Sequence, residues 1–388
     1  RIAPLSSLNT DIVPSLLPPG ALTSCSNFVV EDQRLRNTRG VYPLFPIQIE
    51  PKWMIQFADP AGILWMIISD GSRVHAYRVE NAGLFIDISP LDWQPNSTVQ
   101  LLVHNNVLVV NGSASGLFFW DPGINSLVPA PGWPTDWRAK TVASYRYHLV
   151  ACNVTDDTGR YPYLIRWSTA AEEGSIPASW TPAADNEAGD DLLGETQGEI
   201  IAAITARDQL MIVKEDSIYS LTYIGQPFVM QSTRLGDLGT RMPRGVCEMR
   251  GQLAVLTQDD CYLTDGTHFE SLVNDRVRQE LRKIKNRPQY RESSIFYDRW
   301  RNRLFIFGVE LETDLLGPAL VFDVEENAWY IRTFSPHYGL AYGYTQDAPD
   351  VLPPTEPPIP EDAVTWDTWD DGRTWDELSR SWDAYLSL

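Results

Sequence analysis

The residues best suited to chemistry in this chain are scattered rather than gathered. His75, His104, His148, His268 and His337 show no metal-ligand spacing, and Cys25, Cys152, Cys247 and Cys261 lack the paired spacing of a zinc site. A reduced, buried role is expected for each thiol, and His104 and His148, in strand contexts, read as satisfied core histidines. The chain has no Gly-x-Ser-x-Gly elbow, phosphate loop or dinucleotide fingerprint. The expectation is a protein without cofactor, metal or catalytic residue, and not an enzyme.

Two clusters remain that could hold a partner. The first is basic: 274–287 loses strand alternation, places Val277, Leu281 and Ile284 at helical spacing, and carries Arg276, Arg278, Arg282, Lys283, Lys285 and Arg287. Asn274 can cap such a helix and Pro288 stops it. Arg276, Arg278 and Arg282 are then docking residues for an acidic neighbour, or else the solvated face of a packed helix. The second cluster is apolar. Thr374 and Glu377 make a capping box, after which Trp375, Leu378, Trp382 and Tyr385 fall on one helical face. Leaving such side chains in water costs roughly 1.5 to 3 kcal/mol each. An anchor on another subunit or partner protein is therefore expected, with folding back onto its own body as the alternative.

The elements that must position these groups repeat. Alternating apolar runs separated by polar turns start at Trp53, Val99, Val142, Ile200, Gly245 and Ser294, roughly every 45 residues, the period of four-stranded propeller blades. In the first copy, 53–57, 63–68, 74–79 and 84–88 are strand-like, broken by turn formers such as Asp59-Pro60 and Asp70-Gly71. The third copy is the loosest, interrupted at 156–160, with its last strand placed around Trp180. One such unit cannot bury its own apolar face, so the copies must stack around an axis. The fold class expected is all-β, a β-propeller of six or seven four-stranded blades with an extended N-terminal arm, one inserted helix and a C-terminal tail. A β-sandwich array with the same strand spacing is the alternative.

The parts are an arm with lead-in strands at 1–48, a propeller at 49–346 with the helix insertion at 274–287, a Pro-rich linker at 347–362 and a Trp-rich acidic anchor at 363–388. Fourteen Trp, 16 Tyr and 13 Phe supply rings to fill the wedges between blades. No window is apolar enough for a membrane helix, and the first residues do not read as a signal peptide. The Asn-x-Ser/Thr triplets at Asn96, Asn111 and Asn153 are expected in turns.

The formal charge of −20 bears on partners. Proteins that grip nucleic acid do so with basic faces, because phosphate neutralisation and counterion release supply most of the affinity. A chain of this charge offers a polyanion a repelling wall past which it slides. The acidic residues concentrate in 185–199 and beyond Asp347, where solvated loops are the ordinary expectation.

Two resemblances follow. Thr368, Asp370, Gly372, Thr374 and Trp375 are similar to the Asp box of sialidase-like propellers, which occurs there several times and is structural; here it occurs once. That keeps a glycan-acting propeller, or depolymerase, as an alternative, beside a peptide-binding interaction propeller. More of the chain is covered by a second likeness. The run 214–219, then 223–225 and Phe228, Gly236, Gly239, Pro243-Arg244, Gly251, Asp260, Tyr262, Asp265-Gly266 and 274–278 resembles the tail hub or nozzle proteins of short-tailed bacteriophages. The opening, with 16–19, Asn27, Arg39-Gly40 and Pro43, resembles their N-terminal segment. This resemblance implies a structural virion protein, assembled in the host cytoplasm as a homo-oligomeric ring, commonly a hexamer, below portal and adaptor proteins. A needle or fibre would close its far end, and DNA would pass through the channel without specific binding.

Overall fold

The computed structural model describes residues 7–31, 34–37, 49, 51–78, 85–95, 98–274, 276–285, 290–309 and 316–333. Six four-stranded antiparallel sheets follow one another along the chain, each built from four consecutive strands in meander order. Their first strands, Trp53–Ala58, Val99–His104, Arg138–Tyr145, Ile200–Ala206, Val246–Met249 and Ser294–Asp298, neighbour one another in turn and line the axis. An even number of strands per blade returns the chain to the same end each time, so all six inner strands run the same way. Among the described residues the count is six blades.

Alternation decides what each blade buries. Two-residue periodicity sends one set of apolar side chains to each face of a blade, and both faces pack on neighbours. Trp65 and Trp120 meet edge-on at 5.2 Å between blades one and two, and Val109, Leu117, Val142 and Ala151 join blades two and three. Blades three and four share Tyr145, Ile165, Ile212 and Leu221, and blades four and five share Met211, Val213, Leu253 and Val255. Blades five and six share Leu256, Leu304, Ile306 and Trp329. Polar side chains add rungs: Gln100 pairs both with the N–H and with the carbonyl of Val142 on the next inner strand, at 2.7 Å each.

Between blades six and one the described residues share no such apolar cluster. Arg244, just before the inner strand of blade five, instead donates to the Lys52 carbonyl at 3.4 Å and lies 5.3 Å from the centre of the Trp53 ring. The N-terminal segment also serves blade six. Leu8 N–H donates to Trp329 O at 3.0 Å, and Asn27 N–H to Ile331 O at 2.8 Å, so the segment covers the outer strand Ala328–Arg332. An uncovered outer strand would offer unpaired backbone groups to other chains.

Three expectations are corrected. The outer strand of blade three is Gly189–Leu192, inside the acidic stretch read as solvated loop, whereas Trp180 lies in a buried loop against Trp133 at 4.7 Å. Alternation failed there because an outer strand is only half buried: Asp190 faces Arg166 at 3.6 Å while Gly189 lets Trp167 lie flat against the backbone. The helix α1 is Arg278–Lys285, and its cap comes from afar: the Asp11 carboxylate accepts the N–H groups of Arg278 at 2.7 Å and Gln279 at 2.8 Å. Asn111 and Asn153 are buried in strands rather than turns, each donating to an inner-strand carbonyl of the following blade, Ala139 O and Ile200 O, both at 3.1 Å. Asn96, Pro288, the linker 347–362 and the anchor 363–388 lie outside the described residues.

Candidate functional site

Every inner strand enters the ring at the same end, so the residues just before and at those strand starts collect around one mouth of the axis. Blade three contributes Lys140, blade four Glu199 and, just past the end of its second strand, Glu215, blade five Arg241 and Arg244, blade six Tyr290, Arg291 and Glu292, and blade one Lys52. Their pairings are tight. Glu199 takes the Lys140 ammonium at 2.6 Å, the Asn153 amide at 3.1 Å and the Arg160 guanidinium. Burial alone would raise the Glu199 pKa, but these hydrogen bonds and the two cations outweigh it and hold the carboxyl below its usual range.

Next to this group Arg241 lies 3.8 Å from Glu215, whose N–H donates to Glu199 O at 3.1 Å, and Gln258 donates to the Tyr290 hydroxyl at 3.2 Å. Arg291, with Arg241 behind it, hydrogen-bonds the Tyr290 phenol and draws it below the ordinary tyrosine range despite some burial. Burial lowers the Arg244 guanidinium, against the pull of Glu292. This mouth can bind charged groups. The Glu199 carboxylate is held ionised by its cations, which suits ion pairing rather than proton donation.

His104 and His148 behave as core residues. His104 Nδ1 lies 2.8 Å from Ser144 Oγ, and His148 Nδ1 2.8 Å from the Ser168 carbonyl. Among the described residues no group of three or more His, Cys, Asp and Glu side chains could hold a metal, and no helix is long and apolar enough to cross a membrane.

The basic cluster is partly committed within the fold. Arg276 Nη1 donates to Asn327 O at 2.7 Å, and Arg278 Nη2 lies 3.4 Å from the buried Asp260 carboxylate. Arg282 is exposed on α1, while Val277 and Leu281 bury the opposite side of the helix region in the blade five and six core. Trp375, Leu378, Trp382 and Tyr385 lie outside the described residues. Sequence reading missed Lys140, Glu199, Arg241, Tyr290 and Arg291 as a group. The signal was present, since Lys52, Glu199, Arg244 and the pair Arg291-Glu292 fall within three residues of the starts of their copies.

Six meandering four-stranded sheets around an axis decide the architecture. The fold is a six-bladed β-propeller. No protein-family model matches the chain, and no curated protein sequence matches it. Its structure is similar to that of a streptogramin B lyase, with TM-score 0.48 and 11% identity over 77% of this chain and 89% of that one. Virginiamycin B lyase from Staphylococcus aureus gives TM-score 0.47 and 11% identity over 76% of this chain and 87% of that one. The dihydro-heme d1 dehydrogenase NirN gives 0.44 and 12%, over 75% of this propeller chain and 57% of the other. At such identities the likeness is one of fold and transfers no activity.

Proposed function

We propose that this propeller is a structural virion protein, a tail hub or nozzle subunit of a short-tailed bacteriophage that assembles with copies of itself around a conduit for the genome. The observation that carries this reading is where the residues of the resemblance fall. Lys214, Gly239, Asp260 and Arg278 all lie between the second strand of blade four and α1, and each holds that region together. Lys214 is fully buried and donates to Leu193 O, Thr196 O and Thr196 Oγ1 at 2.7 to 2.9 Å. Gly239 sits where any side chain would strike the backbone of 214–216. Asp260 joins Ser271 at 2.8 Å to Arg278 at the start of α1. The matched pattern is thus a pattern of fold-holding residues. Together with a charge of −20, which keeps a passing polyanion from sticking, it fits a mechanical rather than a chemical role.

In this reading, portal, adaptor and needle or fibre proteins are the partners, Arg282 offers an exposed cation for docking, and the aromatic tail with Trp375 and Trp382 supplies the anchor. Electron microscopy and sedimentation of the full chain test it: closed rings, six copies being the expectation, and loss of rings on deleting 347–388. A chain that stays monomeric at high concentration and turns over a substrate refutes it.

One observation favours a second reading, a propeller acting on anionic glycans. Tyr290 stands between Arg241 and Arg291 at the axis mouth, with Glu199 and Glu215 near, a grouping suited to a carboxylated sugar. Release of reducing sugar from an acidic polysaccharide, lost in Tyr290→Phe, would establish it; no release sets it aside.

A further inference from the structure

Away from the axis, the hairpin Phe28–Glu31 and Arg34–Asn37 faces one side of blade six across a cavity of about 410 Å³. Its charged lining is Glu31, Arg36, Arg301, Arg303, Glu325 and Arg332. Strand register explains the convergence. Arg303 pairs with Asp323, Val321 with Tyr330, and Ala319 with Arg332, so Arg303, Tyr330 and Arg332 project from the same face of the blade. In a chain with 51 acidic and 31 basic residues, four guanidinium groups around one cavity run against the overall balance.

The carboxylates there are engaged. Glu31 takes Arg303 at 2.9 Å and Arg36 at 3.2 Å, and Asp323 takes Arg303 at 2.8 Å. Glu325 accepts from Asn302 at 2.5 Å and lies 4.0 Å from Arg250. Arg301 differs: its backbone N–H donates to Asp298, but its guanidinium meets no carboxylate among the described residues. Tyr330 supplies an independent sign. Its hydroxyl is fully buried and has no hydrogen-bond partner among the described residues, while Arg303, Arg332 and Arg301 are among its charged neighbours. Burial pushes this phenol up to about 12, so it remains an O–H donor, and it lacks an acceptor.

We propose that this cavity is an oxyanion site, taking a phosphate or carboxylate group between the guanidinium groups of Arg301 and Arg36 with Arg332 beside it. The planar forks match such oxyanions in a bidentate way, and the ligand supplies the negative charge that Arg301 lacks. The volume equals about a dozen waters, enough for a group the size of a sugar phosphate with its hydration. Because the rest of the chain is acidic, binding is expected to be local to this cavity and to weaken with salt. Such a site is compatible with either reading of the function, and its test is separate from ring assembly.

Calorimetric titration of the full chain with inorganic phosphate, and in parallel with glutarate, at low ionic strength tests the site and distinguishes the two sources of the oxyanion. Saturable binding of one or both is expected. Arg301→Gln and Arg36→Gln, both at exposed positions, should each weaken it about tenfold with an unchanged melting temperature, whereas Arg73→Gln on blade one should leave it intact. No saturable heat with either anion overturns the assignment, and so does an equal loss in Arg73→Gln. Binding that persists in the Arg301→Gln, Arg36→Gln double variant overturns it as well.

Discussion

Replacing Gly239 by alanine isolates the steric logic of the region between blades four and five. A Cβ built at Gly239 lies 2.4 Å from Lys214 O, from Glu215 C and from Asp216 N. Ordinary contact begins near 3.4 Å, so about 1 Å of overlap must be relieved against three backbone atoms, none of which can rotate aside. Overpacking typically costs about 1 to 3 kcal/mol, and backbone contact on three sides places this variant at about 3 kcal/mol or above. Gly62 provides the control, because its φ of +80° makes alanine unfavourable while nothing lies within 4 Å of the added Cβ. The cost there is the left-handed backbone term alone, about 1 to 2 kcal/mol. Guanidinium titration followed by tryptophan fluorescence measures both variants, and hydrogen exchange over 209–256 locates the damage. If Gly239→Ala is no more destabilised than Gly62→Ala, the close approach is not a constraint on the fold and the steric account fails.

Further outcomes follow from other contacts. Asp11→Ala removes the acceptor for two N–H groups of α1 and should cost about 1 to 2 kcal/mol, with faster hydrogen exchange at 278–281; unchanged exchange there would show that the helix starts without its distant cap. His104 is held neutral by burial, with His148 adding to the effect, and its pKa falls from 6.5 to about 4. The unfolded chain therefore binds a proton that the folded chain declines between those values, so stability should fall as pH drops through that window, by about 3 kcal/mol at most. His104→Gln should flatten this part of the pH–stability curve, and an unchanged slope would remove His104 as its source. Lys214→Met leaves buried carbonyls at Leu193 and Thr196 without their donor, and a loss of about 2 to 3 kcal/mol is expected by chemical denaturation. Burial lowers the Lys214 pKa, with Asp216 opposing, so the stability of the wild type relative to Lys214→Met should rise as pH climbs toward the usual lysine range; a gap that does not change with pH would contradict this.

Much of the ring was legible because its inner and middle strands are buried on both faces. Leu210, Ile212, Leu253 and Val255 announce themselves by alternation, and turns such as Asn105-Asn106 and Arg250-Gly251 adopt the positive φ that tight hairpins require. What alternation could not reveal was the acidic outer strand Gly189–Leu192, whose carboxylates face solvent and Arg166. Long-range partnerships were equally hidden. Asp11 caps a helix 267 residues away, and Glu31 meets Arg303 across 272 residues, so neither the cap nor the arginine-lined cavity leaves a local trace. The axial mouth was intermediate: its residues keep a constant place in the repeat, but which charge meets which depends on the curvature that closes the ring.

The fastening of the N-terminal segment to blade six sets an order on the birth of the molecule. Ser7 leaves the ribosome long before its partner, because the Trp329 amide that donates to its hydroxyl is made 322 residues later. At translation rates of about 5 to 20 residues per second, that interval is on the order of tens of seconds. Throughout it the segment lacks its mate, and in a crowded polysome the outer strand of another copy's sixth blade is as good a match as its own. Exchange of the segment between copies would link subunits, and co-expression of two differently tagged chains, with mixing after folding as the control, tests it.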